Sequence, residues 1–122
     1  MSNQDWSIMI VKSGKTVDFQ PDVPNSKPGE PLQAGDADLI SWNNRTGADH
    51  WPWAIDPTTG EPFETAAAAQ AANLYLCDSV DAWQSSSPAF PTTAPATGST
   101  TINYICRYHT NEKGQIIVSA SN

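Results

Sequence analysis

A thiol and an imidazole stand three residues apart in Tyr104-Ile105-Cys106-Arg107-Tyr108-His109, between two short apolar runs near the C-terminus. That spacing lets both side chains reach one ion from a single tight loop, a soft thiolate beside a borderline imidazole. The chain holds one other histidine, His50, at the end of Trp42-Asn43-Asn44-Arg45-Thr46-Gly47-Ala48-Asp49-His50, where an alternating strand pattern runs into a polar turn. A second imidazole completes the trigonal His₂Cys donor set that suits copper.

Such ligands need a rigid frame, because electron transfer is fast when oxidised and reduced ions tolerate the same geometry. The elements that supply it read as strands. Trp6 to Val11 and Thr16 to Phe19 form a hairpin-like start about the turn Ser13-Gly14-Lys15. Residues 20–36 hold four prolines and read as an extended connection along a sheet edge. Asp38 to Trp42 is the next strand, and the turn-rich stretch Trp51 to Gly60 follows His50. The alanine run makes Glu64 to Asn73 the one helix candidate. Leu74 to Leu76 reads as a further strand, Ser85 to Ser99 as a Pro/Ser/Thr-rich loop, and Ile102 to Cys106 and Ile116 to Ser119 close the sheet. No internal repeat is visible.

The two ligand-bearing segments resemble the cupredoxin family, the small blue-copper proteins of the plastocyanin, pseudoazurin and amicyanin kind. Family members carry a strand like Gly-Asp-x-Val-x-Trp-x-Asn and then a loop ending in the first histidine ligand; Asp38, Trp42 and Asn44 fall in register with His50. Their last two strands read Tyr-x-Cys-x-x-His, a short gap, a Met, and a Gly before an apolar strand, an order matched by Tyr104, Cys106, His109, Gly114 and Ile116 to Val118. The resemblance implies a Greek-key β-sandwich spanning residues 1–122 as one domain, with one mononuclear copper ion at His50, Cys106 and His109. Asn43 or Asn44 would brace the His50 loop through hydrogen bonds behind the ligands, with Asn43 reading more simply as a turn residue.

The departure lies at the axial position. Three residues after His109, where a short-loop cupredoxin places methionine, stands Glu112; Met1 and Met9 both belong to the N-terminal strand region. A carboxylate ligand is harder and anionic, so it favours Cu(II), lowers the reduction potential and draws the ion out of the trigonal plane. Red copper proteins of the nitrosocyanin type are the analogy. The alternative is a solvated turn residue beside Lys113.

Other chemistries fit less well. Cys77 and Cys106 could pair as a disulfide in an exported domain, but that explains neither His109 nor the spacing from Trp42 to His50. Cys77 reads instead as a buried free thiol. A nucleophilic Cys106 lacks an orienting third group. Zinc would accept the same ligands, though copper binds such donors more tightly.

Composition agrees with a small β domain. The 122 residues include 10 prolines and 7 glycines with only 16% charged residues, which suits short strands and turns better than helices. A net charge of -7 argues against a nucleic-acid partner, whose phosphates would be repelled, and favours a basic protein if there is a partner. No apolar run is long enough to span a bilayer. No secretory leader is visible, so the chain reads either as cytosolic or as a mature form with an added Met; copper thiolate proteins are usually exported, which favours the second and a periplasmic or other extracytoplasmic compartment. Trp6 and Trp42 read as core. Trp51 and Trp53 either form an apolar collar for a redox partner or pack beneath the Asp56 to Pro62 turn. Arg45, Arg107 and Lys113, half of the six basic residues, fall in the ligand loops. The expected role is one-electron transfer, not enzymatic catalysis. The alternatives are a copper carrier, sensor or small-molecule site, and a metal-free interaction domain.

Overall fold

The alternation of buried and exposed residues along Ile8 to Lys12 and Leu39 to Asn44 produces strands that share one apolar face. In a computed structural model, which describes residues 4–120, the strands are β1 (Asp5–Ser13), β2 (Thr16–Pro21), β3 (Leu32–Ala34), β4 (Leu39–Asn44), β5 (Pro52–Ala54), β6 (Phe90–Pro91), β7 (Ser99–Cys106) and β8 (His109–Ser119), with one helix, α1 (Ala66–Ala71). They form two four-stranded sheets, ordered β2-β1-β4-β6 and β3-β8-β7-β5. Both sheets are mixed, because β1 runs parallel to β4 and β3 parallel to β8. Every connection from β2 to β7 crosses from one sheet to the other, so the fold is the expected Greek-key sandwich.

Between the sheets lie Ile8, Ile10, Phe19, Ile40 and Trp42 from one side and Leu32, Tyr104, Ile116 and Val118 from the other, all buried. The Trp42 indole donates to Tyr104 Oη at 3.2 Å, which joins the two layers with a polar contact inside the core. Gly114 sits opposite Tyr104 in the β7–β8 ladder, and a Cβ there would lie 2.3 Å from the tyrosine ring. The glycine of the C-terminal motif is therefore required by Tyr104, whose ring lies across it. Trp6 is half-buried, and its indole donates to buried Asp38 at 2.8 Å. Burial raises the Asp38 pKa, but hydrogen bonds from Trp6, Gly35 and Gln4 outweigh it and hold the carboxyl below its ordinary value.

The structure corrects several sequence expectations. The proline-rich stretch does follow a sheet edge, and it contributes the short strand β3. Residues 74–76 are not a strand: Leu76 and Cys77 are buried in succession, and Asn73, at φ 58, ends α1. Leu74 N–H returns to Ala69 and Asn73 N–H to Gln70, a left-handed cap that closes the helix after Ala71, short of Asn73. Thr65 starts it by accepting from Ala68 N–H at 3.1 Å. The Ser85–Ser99 loop contains β6, an edge strand whose Pro91 pairs beside Leu39. Asn43 is a strand residue, paired with Met9 and bridged to Ser85, and not a turn. Met1 lies outside the described residues.

Candidate metal centre

His50 is set by its backbone. Its N–H and C=O exchange hydrogen bonds with Val80 at 3.0 and 2.8 Å, pinning the end of the 45–50 loop to the 78–85 segment. The ring is buried, with Nε2 3.0 Å from Thr46 Oγ1. The Thr46 hydroxyl donates a hydrogen bond to Asn44 Oδ1 at 2.8 Å, and Asn44 Nδ2 donates to the carbonyls of Ala48, Val80 and Asp81. This chain fixes the proton on Nε2 and leaves Nδ1 as a lone-pair donor facing inward. Burial, with His109 nearby, depresses the His50 pKa despite the Glu112 carboxylate, which keeps the ring neutral.

Cys106 ends β7 and His109 begins β8, paired directly across a two-residue turn. The ladder then jumps from Cys106–His109 to Ile105–Lys113, leaving Thr110, Asn111 and Glu112 without partners on β7. That bulge turns Glu112 inward, where a regular strand would alternate it away from His109. Lys113 resumes the ladder opposite Ile105, so it belongs to the strand and not to a ligand loop.

The four side chains converge. Cys106 Sγ lies 3.6 Å from both His50 Nδ1 and His109 Nδ1. Glu112 Oε1 lies 3.0 Å from His50 Nδ1, and Oε2 lies 3.6 Å from His109 Nδ1. All four donor atoms fall within 4.8 Å of one another. Ligands around one small ion are separated by roughly 3.3–3.6 Å when bonds are about 2.0–2.3 Å long. Glu112 Oε1 is, among the described residues, the one buried side-chain oxygen or nitrogen with no hydrogen bond; with the His50 proton on Nε2, the facing Nδ1 has no hydrogen to donate to it. Buried carboxylate oxygens demand a partner, and a cation held by Glu112 together with His50, His109 and Cys106 would provide one. The donor set therefore fits a metal ion, and its thiolate and imidazole chemistry fits copper.

Burial raises the Cys106 pKa; the backbone N–H groups of Trp51, Tyr108 and His109 oppose this, and the Glu112 carboxylate adds to it. Metal binding there would release the thiol proton, the expected coupling of metal binding to ionisation. Trp51 N–H points at Cys106 Sγ over 3.3 Å. His50 and Cys106 are fully enclosed, while the His109 side chain is 43% exposed, so the centre opens to solvent on the His109 side.

Searches of protein-family models and of curated proteins return no match. Solved structures do match. A variant of amicyanin in its reduced Cu(I) form at pH 4 aligns over 98% of this chain and 86% of its own, at 17% identity and a TM-score of 0.56. A purple cupredoxin from Nitrosopumilus maritimus aligns over 93% and 98%, at 16% identity and a TM-score of 0.57. The chain has the cupredoxin fold.

Within a cupredoxin frame the His50, Cys106, His109 and Glu112 cluster fits the copper site, with Glu112 at the axial place. Of the two placements expected for Trp51 and Trp53, Trp53 takes the buried one: it donates to Phe63 O at 2.7 Å, packs under the insertion and forms no collar. Trp51 is half-buried and donates to Cys77 O at 2.8 Å. The exposed aromatic residues are instead Tyr108, in the ligand turn, and Trp83, which is 67% exposed at a φ of 63. Both cysteines are free, and burial pushes the Cys77 thiol up to about 12. Sequence reasoning missed Thr46, whose position four residues before His50 was the available signal. No helix among the described residues is long and apolar enough to cross a membrane.

Proposed function

We propose that this protein binds one copper ion through His50, Cys106, His109 and Glu112 and carries single electrons. The observation that carries the reading is the buried, unbonded Glu112 Oε1 turned toward Nδ1 of His50 in a cluster that also holds a thiol. Bound copper would supply the one-electron change between Cu(I) and Cu(II). The chain's residues supply the rest. Thr46 and Asn44 hold His50 in one tautomer, Trp51 N–H offers the sulfur a hydrogen bond, and the β8 bulge commits a negative oxygen to the site. An anionic fourth ligand favours the oxidised ion and lowers the potential below that of a methionine-ligated site.

The compartment we propose is periplasmic or otherwise extracytoplasmic, and the role is a carrier's and not an enzyme's. The partner we propose is a redox protein with a basic surface. Supporting it are the net charge of -7, the absence of any basic residue from position 51 to 106, and the exposed Trp83 in a loop with Asp81 and beside Asp49, whose Oδ1 accepts from Ala82 N–H at 3.2 Å. A second reading, a copper carrier, sensor or small-molecule site, draws support from the exposure of His109, which leaves the centre approachable from solvent.

Titrating the thiol-reduced protein with one equivalent of Cu(II), followed by visible absorption and electron paramagnetic resonance, tests the assignment. An intense thiolate-to-copper band that disappears in Cys106→Ser supports it. Colourless, loosely held copper sinks it. Reversible voltammetry then supports the carrier role, whereas an exchangeable anion or water at the metal supports the second reading.

A further inference from the structure

The Arg107–Tyr108 turn is the sole direct covalent link between Cys106 and His109, and exposed two-residue turns are ordinarily among the least constrained parts of a fold. Here both of its side chains are engaged. On one flank the Arg107 guanidinium lies 3.8 Å from the Trp53 ring centroid and 5.3 Å from that of Trp51. Its Nη2 donates to Glu64 O at 3.1 Å, on the segment that leads into α1, and its backbone N–H donates to Trp51 O at 2.8 Å. On the other flank Tyr108 Oη lies 2.6 Å from Ser79 Oγ, next to the Val80 that holds His50.

Trp51 stands between the flanks. It follows His50, its N–H reaches Cys106 Sγ, its indole donates to Cys77 O, and its ring is 6.0 Å from that of Tyr108. The turn is thereby fastened to Glu64, Trp53 and Ser79, none of which is a candidate ligand.

We propose that Arg107 and Tyr108 are positioning residues, a two-sided clamp that sets the separation of Cys106 and His109 before any metal arrives. The proposal rests on the copper reading for its purpose, since a preset donor separation is what limits rearrangement during electron transfer. A guanidinium is required on the Trp53 flank because its flat face stacks while its edge donates to a carbonyl, a combination that an ammonium lacks. On the Ser79 flank a single hydroxyl suffices, so phenylalanine would keep the ring and lose the fastening.

The test measures alkylation of Cys106 by iodoacetamide in metal-free protein at constant pH, with peptide mass spectrometry separating Cys106 from Cys77. Loss of the stacked cation frees the turn, and Arg107→Met is expected to raise the Cys106 rate about tenfold. Arg107→Lys should recover only part of that, and Tyr108→Phe should give a smaller increase of its own. With copper bound, Arg107→Met should broaden the distribution of hyperfine splittings, a change that lowered stability alone would not produce. If Arg107→Met fails to fold, Tyr108→Phe, which removes one oxygen, carries the test. A Cys106 rate equal to wild type in the folded variants overturns the clamp. Failure of wild type to form a thiolate band overturns the copper reading instead, while the alkylation rates still decide whether the clamp exists.

Discussion

Glu112 Oε1 and His50 Nδ1 are 3.0 Å apart, yet neither satisfies the other. The carboxylate comes from a bulge in β8 and the ring from the loop that leads into β5 and is pinned to Val80, so the pair meets only because segments distant in the chain lie at one end of the same sheet. Replacing Glu112 with Gln keeps the size and removes the charge. We expect copper affinity to fall about 10- to 100-fold and the potential to rise, measured by chelator competition and voltammetry. An unchanged spectrum and potential would place Glu112 outside the coordination sphere.

Thr46→Val is nearly isosteric and deletes the hydroxyl that lies between His50 Nε2 and Asn44 Oδ1. Two buried polar atoms would be left without that partner, so we expect about 1–3 kcal/mol of lost stability and roughly tenfold weaker copper binding. Denaturant titration with and without copper separates the two effects.

Gly114→Ala would set a Cβ 2.3 Å from Tyr104 Cζ and 2.5 Å from Tyr104 Oη. The ring is enclosed by Phe19 and Trp42 and has nowhere to retreat. Overpacking of this kind costs about 1–3 kcal/mol, which thermal unfolding would report. A variant as stable as wild type would show that the Tyr104 ring can move.

Trp83→Gly has two opposite effects. The backbone at φ 63 suits glycine, and left-handed geometry costs other residues about 1–2 kcal/mol, so the variant should be as stable as wild type or more so. Its electron-exchange rate with a basic c-type cytochrome should fall, while its rate with ferricyanide stays the same. Equal rates with the cytochrome would remove Trp83 from the docking surface.

Metal-free stability should fall at both ends of the pH range, for groups apart from the metal ligands. The Asp38 carboxyl is held below its ordinary value of 3.8, so its contribution is present above that pH and is lost as pH falls through the folded value. Burial, more than the opposing hydrogen bond to Ser86, raises the Cys77 thiol from 9.0 to about 12; its folded state keeps a proton that the unfolded chain releases, so stability declines as pH rises from about 9 to 12. Cys77→Ala should flatten part of that alkaline decline. An identical alkaline slope in this variant would show that Cys77 plays no part in it.

Much of the molecule was legible in one dimension. The order Asp38, Trp42, Asn44 and His50, with Tyr104, Cys106, His109 and Gly114, carried the resemblance to cupredoxins, and through that resemblance the sandwich and the candidate ligands; the strands that hold them show in local alternation. Local signals also misled. Leu74 to Leu76 has strand composition but follows a capped helix, and Asn43 has turn composition but lies in β4, where tertiary pairing overrides propensity.

Sequence by itself determined the kinds of atoms available: two imidazoles, a thiol, and a carboxylate in the place of a thioether. Only the tertiary structure decided that the carboxylate faces the others. Three residues of β8 bulge away from β7, and Val80, Thr46 and Asn44 orient a ring far away in the chain. The same holds for Trp53 and Arg107, whose stacking depends on β5 lying beside β7. Spacing along a chain limits which side chains can meet; which of them do meet depends on burial and register summed over both sheets, and those terms have no local signature.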